Sequence, residues 1–256
     1  MRRLGLAVAA VIAAWLAATL PALPEEGAAE IKSLNWSFNG IAGSFDRPAL
    51  RRGLEVFLNV CSSCHSLKYV SYRNLVDLGL SVDEAKEIAG RHQITDGPDD
   101  QGEMFYRPGI LADHFVPPFA NEKAARFAMN GALPPDLSLM AKARKRGPDY
   151  IYSVLIGFVD PPAGVEPVPG MFYNAAFPGH AIAMPPPLAD GLLDYADGTK
   201  ATVEQMAMDV VQFLEWTAEP KLEDRKRLGI GVMIFLVILA GLLFAVKRRV
   251  WSDVQH

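Results

Sequence analysis

The chain has 256 residues, half of them hydrophobic, with 25 Lys and Arg against 29 Asp and Glu and a formal charge of −4. That apolar content argues against a disordered chain, and the acidic balance argues against nucleic acid as a partner, because phosphate is held by basic surfaces. The length suits one substantial globular domain with membrane-directed ends.

At the N-terminus Arg2-Arg3 precede an Ala/Leu/Val run from Leu4 to about Leu20, then Pro21-Ala22-Leu23-Pro24 and small residues. A basic start, a short apolar core and small residues beyond it describe a secretory signal peptide. It is expected over 1–29, cleaved after Ala22 or Ala29, with a retained membrane helix as the alternative. Export would place the downstream domain in the periplasm.

From Asp46 to Val60, Leu50, Leu54, Phe57 and Leu58 recur at helical spacing, and Asp46 before Pro48 supplies a start signal. This helix delivers the stretch NVCSSCHSL, Asn59 to Leu67, which holds both cysteines of the chain. Cys-x-x-Cys alone fits a dithiol switch, half a zinc site, a disulfide or haem attachment. His65 decides among them: in a c-type haem site two thiols join the haem edge and the following histidine ligates the iron. A zinc site wants a second ligand pair, and no other cysteine exists. A thioredoxin-like dithiol precedes a helix, whereas this one comes after a helix.

A second helix is expected over Ser81 to Gly90, where Ser81 and Glu84 form a capping-box pattern. Fifteen of the nineteen prolines fall between Pro98 and Pro187, which predicts loops and turns with brief helices such as Asn121 to Met129. Lys142, Arg144, Lys145 and Arg146 read by default as a solvated basic run.

What faces the iron opposite His65 decides whether it can only pass electrons or can also bind small molecules. Setting aside Met1, Met233 and the helical Met206 and Met208, the candidates are Met104, Met129, Met140, Met171 and Met184. Met184 stands in HAIAMPPPL, where Pro185 to Pro187 hold the backbone extended and lack donors. Its thioether would favour ferrous iron. His180, four residues earlier, is its chief rival.

Val203, Met206, Ala207, Val210, Val211 and Leu214 mark one buried helical face, with Thr202 and Gln205 as a capping box and Pro220 as the stop. Leu228 to Val246 is uncharged and about 28 Å long as a helix, enough to cross a bilayer. Lys247-Arg248-Arg249 and Trp251 come next, as at a cytoplasmic end.

The segments RRGLEVFLNVCSSCHSLKYVSYRNL, GALPPDLSLMAKAR, GPDYIYSVLIGF, FPGHAIAMPPPL and DGTKATVEQMAMDVVQFLEWTAEP, with the apolar stalk after them, resemble in this order the cytochrome c1 family of the cytochrome bc1 complex. The resemblance covers nearly all of the chain after the signal segment. It implies a mainly α fold: a class I c-type cytochrome domain over 30–220 with long proline-rich loops, a single C-terminal transmembrane anchor over 221–249 and a cytoplasmic tail over 250–256. It further implies one haem c attached through Cys61 and Cys64, with His65 as proximal and Met184 as distal ligand. Arg144 would meet a haem propionate, and Tyr150 and Pro135 would lie along the haem pocket and edge. Lys142 stands where many relatives have arginine, and the disulfide of some bacterial relatives is impossible here.

The implied role is an electron carrier, not an enzyme on its own, within a ubiquinol–cytochrome c oxidoreductase. It would take electrons from the Rieske iron–sulfur protein, sit beside cytochrome b in a bacterial inner membrane, and reduce a soluble c-type cytochrome. Asp77, Asp83, Glu84, Asp96, Asp99, Asp100 and Glu103 would steer a basic acceptor. The alternatives are a stand-alone anchored carrier and an open-site haem sensor or peroxidase-like protein.

Overall fold

The structure is a computed structural model that describes residues 30–253 except Pro167. The expected signal peptide lies outside the described residues, as do residues 254–256 of the expected tail.

Helix α1 spans Arg47–Asn59, capped by the Asp46 side chain at the Ala49 N–H and entered through Pro48. Its inward face carries Leu50, Leu54, Val56 and Phe57. Helix α2, Val82–Gly90, forms both halves of the expected capping box, with Glu84 N–H donating to Ser81 Oγ and Ser81 N–H to Glu84 Oε2. Helix α3, Glu122–Ala128, starts at an Asn121 cap. The proline-rich middle also contains α4 at Met140–Ala143, α5 at Gly147–Ile156, and two short antiparallel hairpins. Strands β1 (Gln93–Asp96) and β2 (Phe105–Pro108) pair from Gln93 opposite Pro108, and β3 (Phe172–Tyr173) and β4 (Ala181–Ile182) pair from Phe172 opposite Ile182. Neither hairpin has enough alternating positions to stand out in the sequence.

Helix α6, Val203–Ala218, is capped by Thr202 at the Gln205 N–H. The other half of its expected capping box does not form, because the Gln205 amide donates to Asp209 instead. Helices α1 and α6 form the most extensive helix pair. They cross at Gly53, where a Cβ would lie 2.2 Å from the Asp209 carbonyl oxygen and 2.7 Å from Phe213 Cβ. Around the crossing Leu50, Phe57, Val210, Phe213 and Trp216 are almost wholly buried, each contributing roughly 1.5–3 kcal/mol. Phe57 bridges Phe213 and Phe115, and Phe115 stacks on Tyr72.

The same helix pair carries a buried ion pair. Arg52 Nε and Nη2 reach the two Asp209 oxygens at 2.9 and 3.0 Å, Nη1 reaches Asp197 at 2.7 Å, and Gln205 fills the remaining acceptor sites of Asp209. A fork of this kind satisfies a carboxylate that is otherwise fully buried.

Helix α7 runs unbroken over Leu222–Val250 and is the helix among the described residues that is long and apolar enough to cross a membrane, with a mean hydropathy of 2.8 in its most apolar stretch. It begins six residues before the apolar run, and that first turn docks on the head. Leu222 is buried, Glu223 accepts from Phe45 N–H and from Arg47 at 2.8 and 2.6 Å, and Lys226 donates to the Phe38 and Gly43 carbonyls at 2.6 and 3.0 Å.

Two outcomes test this packing. Gly53→Ala should destabilise the head by about 1–3 kcal/mol through overpacking, with the melting temperature falling roughly 2–4 °C per kcal/mol. Burial, and then repulsion by Glu219, raise the Glu215 carboxyl on α6. The unfolded chain therefore loses this proton first, so stability falls as pH climbs from about 4.3 toward the folded value and stays reduced at neutral pH. Glu215→Gln should raise the melting temperature at pH 7, with the difference vanishing below about pH 4.

Candidate haem-binding site

Helix α1 ends directly at the cysteine motif, and the two spacer serines help to end it. Ser62 Oγ donates to the Leu58 carbonyl at 2.7 Å and Ser63 Oγ to the Val60 carbonyl at 2.8 Å, satisfying acceptors that the last helical turn leaves open. Residues Cys61–Ser63 form a 3₁₀ turn, and the N–H groups of Cys64 and His65 both close on the Cys61 carbonyl, at 3.1 and 2.9 Å. Both cysteines are free thiols on this one turn. Burial, with a smaller effect from Cys64, pushes the Cys61 thiol up to about 12.

His65 comes next, with a defined tautomer. Its Nδ1 lies 2.8 Å from the Pro135 carbonyl oxygen, which can only accept, so Nδ1 carries the proton and the Nε2 lone pair is left free. Burial lowers the pKa of the imidazole, outweighing the opposing effects of Pro135 and Asp136, and favours the neutral form a metal needs. Two thiols on one turn and an oriented neutral imidazole fit a covalently attached haem. Among the described residues no group of three or more His, Cys, Asp or Glu side chains forms an alternative metal cluster.

The remaining sequence candidates lie on other elements. Pro135 is brought to His65 through its carbonyl. Met184 lies two residues beyond β4, half-buried ahead of Pro185. Its rival His180 is occupied within its own hairpin: the ring stacks on Tyr173 and its Nδ1 lies 3.2 Å from the Asn174 carbonyl. Tyr150, on α5, packs against the core.

The basic run divides. Lys142 pairs with Glu219 at 3.1 Å and Arg146 with Asp149 at 3.3 Å, whereas Arg144 is exposed and has no carboxylate partner among the described residues.

Four of the seven acidic residues expected to steer an acceptor have local partners. Glu84 caps α2, Asp83 pairs with Lys86, Asp96 pairs with Arg107, and Asp99 accepts from the Gln101 and Glu103 N–H groups. Asp77, Asp100 and Glu103 remain as exposed charges without such partners among the described residues.

Sequence reasoning missed Asp149 and Asp136. Asp149 gathers the N-terminal segment onto α5 by accepting from Leu34 N–H and Trp36 Nε1 at 3.1 and 2.9 Å. Asp136 fastens the Pro135 loop. The only local signal for either was an acidic residue within two positions of a proline.

A helical head closed by its first and last helices, a Cys-x-x-Cys-His turn at the end of the first, and a membrane-length helix leaving the last define a membrane-anchored c-type cytochrome. The chain matches the Cytochrome C1 family over residues 36–254 and belongs to that family. It is 50% identical over 248 residues to the cytochrome c1 of Rhodospirillum rubrum, covering 90% of this chain and 91% of that one. It is 51% identical over 218 residues to "Cytochrome c1 1, heme protein, mitochondrial" of Arabidopsis thaliana, covering 85% of this chain and 71% of that one. It is also 47% identical over 270 residues to a Bradyrhizobium diazoefficiens protein named "Cytochrome b/c1", covering 97% of this chain but 39% of that protein.

The Cys61–His65 turn makes a direct prediction. Cys61→Ala and Cys64→Ala should each sharply reduce the haem that stays with the polypeptide after denaturing electrophoresis, and the double variant should abolish it.

Proposed function

We propose that the chain is the haem-bearing electron-transfer subunit of a cytochrome bc1 complex. It would hold one haem c through thioethers at Cys61 and Cys64, with His65 and Met184 as the residues offered to the iron. The bound haem supplies a one-electron ferrous–ferric couple. The observation that carries this reading is the His65 Nδ1 to Pro135 carbonyl bond, which fixes the ring and leaves Nε2 as a donor beside the two thiols.

The chain's own residues then have separable tasks. Cys61 and Cys64 anchor the haem edge to the end of α1. His65 offers neutral imidazole, and Met184, supplied from beyond the β3–β4 hairpin, would offer a thioether as the second protein ligand, leaving no position open to exogenous ligands. Arg144, which donates to the Ala143 carbonyl but has no carboxylate partner among the described residues, would receive a propionate; a guanidinium fork suits a carboxylate, and a buried carboxylate left unpaired would be costly. Tyr150 and Pro135 shape the pocket wall. No proton transfer or nucleophile is needed, because the reaction is electron transfer between redox centres.

Electrons arrive from a Rieske iron–sulfur protein and leave to a soluble c-type cytochrome. Asp77, Asp100 and Glu103 are the charges free to steer a basic acceptor. The relative named cytochrome b/c1 supports assembly beside a cytochrome b. Helix α7 anchors the head, with Lys247, Arg248 and Arg249 in its last turn on the cytoplasmic side and the head in the periplasm.

Reduced native protein should not bind carbon monoxide. Met184→Leu should bind it and should lower the midpoint potential by on the order of 100 mV, within the roughly 0.8 V range that axial ligands command. Carbon monoxide binding by the native protein would sink Met184 ligation. Extraction in mild detergent should bring down a cytochrome b and a Rieske protein with this chain, which separates a complex subunit from a stand-alone carrier.

A further inference from the structure

We infer that Asp136 is a positioning residue for the iron's imidazole ligand, acting through the Pro135 carbonyl; this rests on the reading of His65 as that ligand. The Asp136 carboxylate joins two segments far apart in the chain. Its Oδ2 accepts from Ser66 Oγ at 2.7 Å and from the Lys68 N–H at 2.8 Å, immediately after His65. Its Oδ1 accepts from the Ser138 N–H at 3.0 Å, within its own loop. Further bonds run in parallel: Leu137 N–H donates to the Ser66 carbonyl at 2.9 Å, and Tyr69 N–H to Ser138 Oγ at 3.2 Å. Thr217 Oγ1 on α6, 2.8 Å from the Leu214 carbonyl of its own helix, also lies 3.2 Å from the Ser138 carbonyl, which brings the loop against the helix pair.

An aspartate serving only its own turn would need the Ser138 contact alone. The two bonds to Ser66 and Lys68 instead set where the peptide of Pro135 stands relative to His65. A proline cannot donate a backbone hydrogen bond, so this loop lacks one means of fixing its own carbonyl and must be held by its neighbours. Burial by itself would raise the Asp136 carboxyl, but hydrogen bonds from Lys68, Ser66 and Ser138 outweigh it and hold the group ionised. The negative charge and the Nδ1–H···O=C bond both favour the more positive ferric state, so both lower the potential.

The test uses the full-length, detergent-solubilised holoprotein with Asp136→Asn. At a fixed ambient potential the ratio of reduced to oxidised haem should rise at least threefold, a midpoint increase of about 30 mV at 59 mV per tenfold for one electron. The ferric electron paramagnetic resonance g-values should shift with it, since they report ring orientation. Ser66→Ala removes one bond and keeps the charge, and should shift both signals less, in the same direction. Glu223→Gln, at the stalk junction, should lower the melting temperature and leave both signals in place.

Should Asp136→Asn fail to retain haem, Asp136→Glu and Ser66→Ala read the same two signals. Potential and g-values matching the wild type in the assembled variants would overturn the inference. If His65 is not the ligand, the wild-type protein lacks an imidazole signature in near-infrared magnetic circular dichroism, and that reading falls by itself. With the signature present, unmoved signals remove Asp136 alone.

Discussion

The backbone of α1 meets α6 at Gly53 with no room for a Cβ, and the rest of the head is arranged around that contact. Close approach lets Phe57 reach Phe213 and lets Arg52 reach the buried Asp209 across the same interface. It also fixes the direction in which α1 ends, and therefore where the Cys61–His65 turn stands. The lack of a side chain at one point in the sequence thus sets the site's position about two helical turns away.

The site is assembled from segments that share no local structure. Cys61, Cys64 and His65 come from one turn. The acceptor for His65 comes from a proline loop seventy residues on, and the proposed second ligand from beyond a hairpin of two-residue strands further still. Helices position the first group by their own hydrogen bonds. The proline-rich segments have few such bonds, so side chains do the positioning: Asp136 for the Pro135 loop, Asn174 for the turn before Met184, through its amide to the Val154 carbonyl and its oxygen to the Ala176 and Phe177 N–H groups. Asp149 does the same for the N-terminal segment.

Charge is distributed along the same division. Many acidic residues that look like a solvated surface cap helices or pair with basic neighbours, and exposed pairs of this kind contribute little to stability. The stalk junction is different: Glu223 and Lys226 each bind backbone groups of the head, so α7 leaves at a held angle rather than through a flexible linker.

Local chemistry made the haem motif, the capped helices α1, α2 and α6 and the apolar stalk legible, because each is written in residues within a few positions of one another. The hairpins and α5 were not, since their patterns are too short or are interrupted by prolines and aromatics. Of the proposed iron ligands, His65 is readable from its neighbours, whereas Met184 was favoured among five methionines by its Pro185–Pro187 context, with His180 as its rival, and the family resemblance strengthened that choice. Folding alone settled which partner each polar group takes: Pro135 for His65, Lys142 for Glu219 and Arg146 for Asp149, with Arg144 and Lys145 left without carboxylate partners among the described residues. Helix and motif signals travel through covalent spacing and can therefore be read from the chain without its fold. Hydrogen-bond partners seventy or more residues apart depend on packing geometry, and no local spacing encodes it.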